Sequence, residues 1–270
     1  MVLPRVLTIA GSAAQGSAGI QADLKTFQER DVYGMAVVTA IVAKNPVTES
    51  SIFTSDLEAV EAQFHAANES VGFDAVKTGM LFTKEIIEKT AELLSNHTPP
   101  QLVVDPVMIG KMGSQLLRDD AIEAMKERIF PLASLITPNL HEAEKILDMG
   151  NINTLQAMKE AAKELHEFGP DYVLVKGGAL KDSAVDVLYD GKDFMELPQE
   201  RIDTIHTSGA GCSYSAAIAA ELAKGQTMEQ AVTLAKAYVT YAIKHALSFG
   251  RGIGSTYHAA YRKYADKHDQ

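Results

Sequence analysis

Short apolar runs rich in Val, Ile and Leu alternate along the chain with stretches of helical periodicity. That is the pattern of parallel strands buried on both faces and joined by crossover helices. The runs that predict strands are Val6 to Ala10, Met35 to Val42, Ala75 to Lys77, Leu102 to Asp105, Leu135 to Thr137 and Tyr172 to Lys176. Ser55 with Glu58 reads as a capping box that opens a helix toward Ser70, and Thr154 caps a helix that stops at Gly169-Pro170. Beyond Gly177-Gly178 the period changes. Ala184 to Asp190, the turn Asp190-Gly191 and Phe194 to Leu197 predict an antiparallel hairpin. Two helices follow: Cys212 to Lys224, closed by Gly225, and Met228 to Leu247, opened by a Thr227/Gln230 capping box. With no linker, repeat or low-complexity segment in sight, the expectation is one three-layer α/β/α domain over residues 1–270. It would have a mainly parallel central sheet and a β-hairpin in the C-terminal half.

Composition narrows the function classes. The 270 residues carry a formal net charge of −10, from 25 basic and 35 acidic side chains. That balance argues against nucleic acid, whose phosphates call for clustered Lys and Arg, although a few local N–H groups can still hold a nucleotide. The longest apolar run, Gly34 to Ala43, is broken by Thr39 and is too short to cross a membrane. Arg5 followed by Val6 to Ala10 mimics a signal peptide, but the apolar run is shorter than the about 7 residues one needs. A single cysteine forms no internal disulfide, and no Cys/His spacing resembles a zinc site, so a reducing, cytoplasmic setting is expected.

Chemistry concentrates at the ends of the predicted strands. Gly11 and Gly16 have the spacing of a phosphate-binding P-loop, but Ser17 stands where its lysine belongs, and that reading fails. What remains is a small-residue turn at a strand's carboxyl end, where α/β proteins place ligands. Ser208-Gly209-Ala210-Gly211-Cys212 sits directly before an apolar helix, where backbone N–H groups and the helix dipole favour an anion. A thiol at such a terminus is expected to ionise more readily. Asn139 and Glu142 form a capping-box-like start that could equally serve a metal-bound phosphate, while Asp105 and Lys176 end two further strands. Glycine, acid, amide and lysine chemistry at four strand ends suggests a nucleotide and a magnesium ion.

Taken in order, Leu7 to Ser12, Ala18 to Phe27, Lys77 to Met80, Val104 to Met108, Thr137 to Asn139 with Glu142, Lys176 to Gly178 and Gly209 to Cys212 carry a resemblance. They resemble the bacterial hydroxymethylpyrimidine kinase and pyridoxal kinase branch of the ribokinase-like superfamily. The resemblance implies ATP-dependent phosphorylation of a hydroxymethyl group on a pyrimidine or pyridine ring, with Mg2+ as cofactor, and a homodimer. Gly209, Ala210 and Gly211 would form the anion hole, with Cys212 where most ribokinase-like enzymes have an aspartate base. Asp105, Asn139 and Glu142 would serve the magnesium and phosphates, and Lys176 the nucleotide. Gly11, Asp23, Lys44, Thr78, Gly79, Met80 and Val107 would line the substrate ring.

Three departures from the family's pattern stand out. Ala13 and Ala14 replace polar residues of the first loop, and Gly110 stands where pyridoxal-handling relatives often carry a second cysteine. Ser208 replaces a histidine, leaving His206 two residues upstream as the nearest imidazole. A sugar or nucleoside kinase, or a sensor that has lost catalysis, is the competing expectation.

Overall fold

Val6, Leu7, Ile9 and Ala10 are at most 1% exposed, because the first strand is covered on both faces as its unbroken apolar run requires. The computed structural model describes residues 3–108, 117–180 and 184–265. In chain order the elements begin β1 (Arg5–Ala13), α1 (Ile20–Glu29), β2 (Tyr33–Val42), β3 (Ile52–Thr54), α2 (Leu57–Ser70), β4 (Ala75–Thr78), α3 (Lys84–Asn96), β5 (Leu102–Val104) and α4 (Asp119–Arg128). They continue with β6 (Leu135–Ile136), α5 (Leu140–Leu147), α6 (Leu155–His166), β7 (Tyr172–Val175), β8 (Asp186–Tyr189), β9 (Phe194–Leu197), α7 (Ala210–Ala223), α8 (Met228–Lys244) and α9 (Ala260–Tyr264). The strands are mostly parallel and helices lie on both sides of them, the α/β class expected.

Contacts divide the chain into two compact units, Met1–Leu81 with Pro99–Gln101 and Ile202–Gln270, and Phe82–Thr98 with Leu102–Arg201. In the first, the strand order is β3-β2-β1-β4, with β1 parallel to β2 and β4, and β3 antiparallel at the edge. Helices α1 and α7 pack on β1, and α7 also packs on α8 and β4. Ser213 through Leu222 are all buried, so α7 needs no polar stripe and has none. Arg30 at the end of α1 is held 2.7 Å from Glu221 of α7 and lies over the rings of Tyr238 and Tyr261.

In the second unit the order is β5-β6-β7-β8-β9, parallel through β7 and antiparallel thereafter. The hairpin turn is built by Asp190, whose carboxylate accepts from the N–H groups of Lys192 and Asp193. Helix α6 packs on β7 and β8.

Several boundaries differ from the sequence pattern. Asp56, not Ser55, caps α2, accepting from the Ala59 N–H at 2.7 Å, while Ser55 donates to the Val38 carbonyl and ties the loop to β2. Helix α6 ends at His166, before the Gly169-Pro170 pair, and α8 ends at Lys244 rather than Leu247. Helix α7 starts at Ala210, two residues before Cys212. Strand β1 runs three residues past Ala10 across a register shift between Ala10 and Gly11. The capping boxes at Asn139/Glu142 and Thr227/Gln230 form as expected.

Candidate active site

Two clusters of functional side chains form, one in each unit. In the first unit the cluster begins where α7 does. Gly209 takes a left-handed conformation (φ 82°) as its N-cap, and a Cβ there would overlap the Ser17 carbonyl oxygen. Only glycine allows that close approach. The N–H groups of Gly209 and Gly211 make no hydrogen bond among the described residues, as expected for donors of a first helical turn. The loop between β1 and α1 backs onto this turn. The hydroxyls of Ser17 and Ser208 lie 2.9 Å apart, and the N–H of Gly19 donates to Cys212 Sγ at 3.4 Å. Cys212, the third residue of α7, is half-buried.

The same loop shows how Ala13 and Ala14 are accommodated. Lacking polar side chains, both are held by their backbones: Ala13 N–H donates to Gln21 Oε1 at 2.9 Å, and Ala14 N–H to the Val42 carbonyl. Gln21 also donates to Ser12 Oγ at 2.7 Å. His206 is tied to the Gly254 to His258 segment, its Nδ1 accepting from the Gly254 N–H at 2.9 Å. Gly110 lies outside the described residues.

The residues assigned to the ring have distinct placements. Gly11 is buried and leaves room for the Met80 methyl, and the Met80 carbonyl accepts from Thr39. Thr78 ends β4 almost fully buried, Gly79 follows beside Lys77 Nζ, and Lys44 is exposed in the loop after β2. Asp23 has no exposed surface: it accepts from Thr8 Oγ1 at 2.7 Å and from Lys77 Nζ at 2.9 and 3.0 Å. It forms a buried ion pair beside Thr8, midway along β1.

In the second unit, Asp105 follows β5 and lies 2.9 Å from Lys176 Nζ and 3.3 Å from Thr137 Oγ1. Lys176 is carried beside Asn139 by a backbone bridge, its N–H donating to the Pro138 carbonyl. Glu142 accepts from the Asn139 N–H at 2.9 Å and donates its own N–H to Asn139 Oδ1 at 3.0 Å. Burial pushes the Glu142 carboxyl up to about 7, and Asp105 adds to the rise. The Lys176 ammonium and the N–H groups of Asn139 and Met108 oppose it. Val107 closes a tight turn onto the Asp105 carbonyl at 2.8 Å. Two oxygen-donor carboxyls beside a lysine suit a hard divalent cation and the phosphates it accompanies.

Sequence reasoning missed two participants. Gln21 lay inside a quoted segment, and its bracing role has no spacing signature. His258 is buried, 3.0 Å from Ser213 Oγ, and no motif marks it.

The sequence model of the family described as phosphomethylpyrimidine kinase matches residues 14–257. The chain is 45% identical over 266 residues to the pyridoxine kinase of Bacillus subtilis (strain 168), covering 97% of this chain and 98% of that one. It is 40% identical to the hydroxymethylpyrimidine/phosphomethylpyrimidine kinase of the same strain, covering 97% of each. Its structure resembles that of Bacillus subtilis pyridoxal kinase in an ADP complex, with a TM-score of 0.92 and 44% identity over 97% of this chain and 99% of that one. The pyridoxal kinase of Staphylococcus aureus in complex with AMP-PCP and pyridoxal gives a TM-score of 0.90 at 40% identity, over 98% and 96% of the two chains.

Proposed function

The chain belongs to the phosphomethylpyrimidine kinase family, and from that premise we propose that this enzyme transfers the terminal phosphoryl group of ATP to a ring hydroxymethyl group. The acceptor is hydroxymethylpyrimidine or a pyridoxal-type ring: pyridoxal, pyridoxine or pyridoxamine. The observation that carries this reading is full-length likeness to kinases named for each ring, in a chain whose α7 start presents glycine N–H donors and a thiol together.

The division of labour follows from the placements. Phosphoryl transfer needs positioning and charge stabilisation more than covalent chemistry. The N–H groups of Gly209 and Gly211, at the positive end of α7, receive the transferring group, whereas that of Ala210 is taken by the Thr207 carbonyl. Cys212, third in that helix and supplied with the Gly19 N–H, accepts the hydroxyl proton. Lys176 neutralises phosphate charge. Asp105 and Glu142 would hold magnesium, directly or through its waters, and Asn139 keeps Glu142 in place through the capping box. When bound, the ion supplies charge neutralisation between phosphate oxygens and carboxylates. Gly11, Lys44, Thr78, Gly79 and Met80 of the first unit line the ring, but Asp23 does not, because it has no exposed surface and is spent on its ion pair with Lys77.

We further propose that residues 1–270 act as a single cytoplasmic kinase domain, and that the protein is a homodimer. A coupled ADP-release assay with each ring substrate tests the central reading. Saturable binding without turnover on every ring would replace the kinase with a sensor.

A further inference from the structure

Ser213 follows Cys212 directly, and its hydroxyl lies 2.8 Å from the Gly209 carbonyl, to which it donates. A hydroxyl has one proton to give. The 3.0 Å contact between Ser213 Oγ and His258 Nε2 is therefore an imidazole N–H donating to the serine oxygen. His258 is 6% exposed and Ser213 fully buried. Burial, with Lys25 nearby, lowers the imidazole to about 4, so the ring is neutral and carries a single N–H. The Gly209 carbonyl also accepts the Ser213 backbone N–H at 2.8 Å.

The segment that carries His258 is strapped to the same loop. Ser208 N–H donates to the Gly254 carbonyl, Thr256 N–H returns to the Ser208 carbonyl, and Gly254 N–H meets His206. The Ser17 to Gly19 loop thus holds the turn through Ser208, Gly209 and Cys212, while the Gly254 to His258 segment holds it through Ser208 and Ser213.

We infer that His258 is a positioning residue for phosphoryl transfer: through Ser213 it fixes the Gly209 carbonyl and the Gly209–Ala210 peptide plane, whose own N–H turns back to the Thr207 carbonyl, and so holds in place the flanking N–H groups of Gly209 and Gly211. The inference rests on the reading of Gly209 to Gly211 as the anion hole. A donor aimed at charge that develops in the transition state changes turnover more than binding when it loses its aim. A buried imidazole present only as filler would be replaceable by leucine without kinetic effect.

Steady-state kinetics of the full chain, with ATP and ring substrate varied separately, test this. His258→Leu is expected to lower kcat by about tenfold with the ring-substrate KM within about twofold, because the lost aim is felt in the transition state. His258→Gln, which keeps an N–H near the Nε2 position, is expected to restore most of the rate. Ser213→Ala is expected to match His258→Leu, and the double variant to be no slower than either, since both break one chain of hydrogen bonds. Unchanged kcat in His258→Leu, Gln as slow as Leu, or multiplying losses in the double variant would each overturn the inference. If His258→Leu does not fold, Ser213→Ala with an intact melting transition must still show the kcat loss, and full turnover there overturns the role. Gly209→Ala separates the two readings. Its full activity would remove the anion hole itself, whereas its loss beside a fully active His258→Leu would remove only the positioning role.

Discussion

The N–H of Gly19 donates to Cys212 Sγ over 3.4 Å, so the loop that starts α1 supplies a donor to the thiol that α7 presents. A donor at the sulfur and the start of a helix are the surroundings that the proposed proton-accepting role of Cys212 calls for.

A thiolate that accepts the substrate proton contributes roughly a hundred- to ten-thousand-fold in rate when it acts as general base. Cys212→Ala is therefore expected to cut kcat by at least about tenfold while ATP affinity stays nearly intact. Because the chain has one cysteine, alkylation should inactivate at one modification per chain, with ATP and ring substrate protecting. Full turnover in Cys212→Ala would leave the thiol as packing.

Glu142 titrates in the physiological range, raised to about 7 chiefly by burial. The folded state prefers the protonated acid, so this contribution to stability is present at low pH and is lost as pH climbs through about 7. A cation beside the carboxylate opposes that loss. The melting temperature of the free protein should fall as pH rises from about 4.5 to about 7 and level off above, less so with magnesium and ATP, and Glu142→Gln should abolish the difference. Unchanged magnesium-dependent turnover in Glu142→Ala would reduce Glu142 to a helix cap.

His258 shifts the other way, its imidazole lowered to about 4 chiefly by burial. As pH falls from the unfolded value near 6.5, the unfolded chain takes up a proton that the folded chain refuses, and stability declines toward pH 4. The shift corresponds to at most about 3 kcal/mol. Thermal melts of His258→Gln across that window should lose less stability on acidification than the parent. Parallel curves would mean that the imidazole is solvated in the folded protein.

Ile41 of β2 and Phe53 of β3 are cross-strand partners at the sheet edge, and both are about half exposed, with Val47 87% exposed in the loop that joins them. An apolar edge of this kind favours a second copy of the chain. Light scattering at micromolar concentration should report twice the chain mass of 29.1 kDa, and Phe53→Lys should shift it toward one. A parent that scatters only as one chain ends the homodimer.

What could be read beforehand was whatever is local. The runs at Val6, Leu102 and Tyr172 became buried strands because continuous apolar residues leave few alternatives. The capping boxes at Asn139 and Thr227 need only a four-residue span. Strand β3 was missed because three residues make too short an alternation to register. At α2 the aspartate beside Ser55 took the cap, since Ser55 was drawn to Val38 by tertiary contact. Gly209 to Cys212, Asp105, Asn139, Glu142 and Lys176 were legible as chemistry at strand and helix ends, and the ring-lining residues through family order, but the partners that brace them were not. Ser213 and His258 stand 45 positions apart, and Asp23 and Lys77 stand 54 apart. No periodicity connects such pairs.

The Asp23–Lys77 pair also constrains how this sequence can drift. Neither side chain has any exposed surface, so replacing one strands the other's charge in the interior at roughly 3–5 kcal/mol. Single substitutions at either position are thus closed to gradual change, while a joint exchange for two well-packed apolar residues costs little or even stabilises. Two codons lying 54 residues apart behave as one heritable character, and comparison of descendants of this chain should find them altered together or not at all.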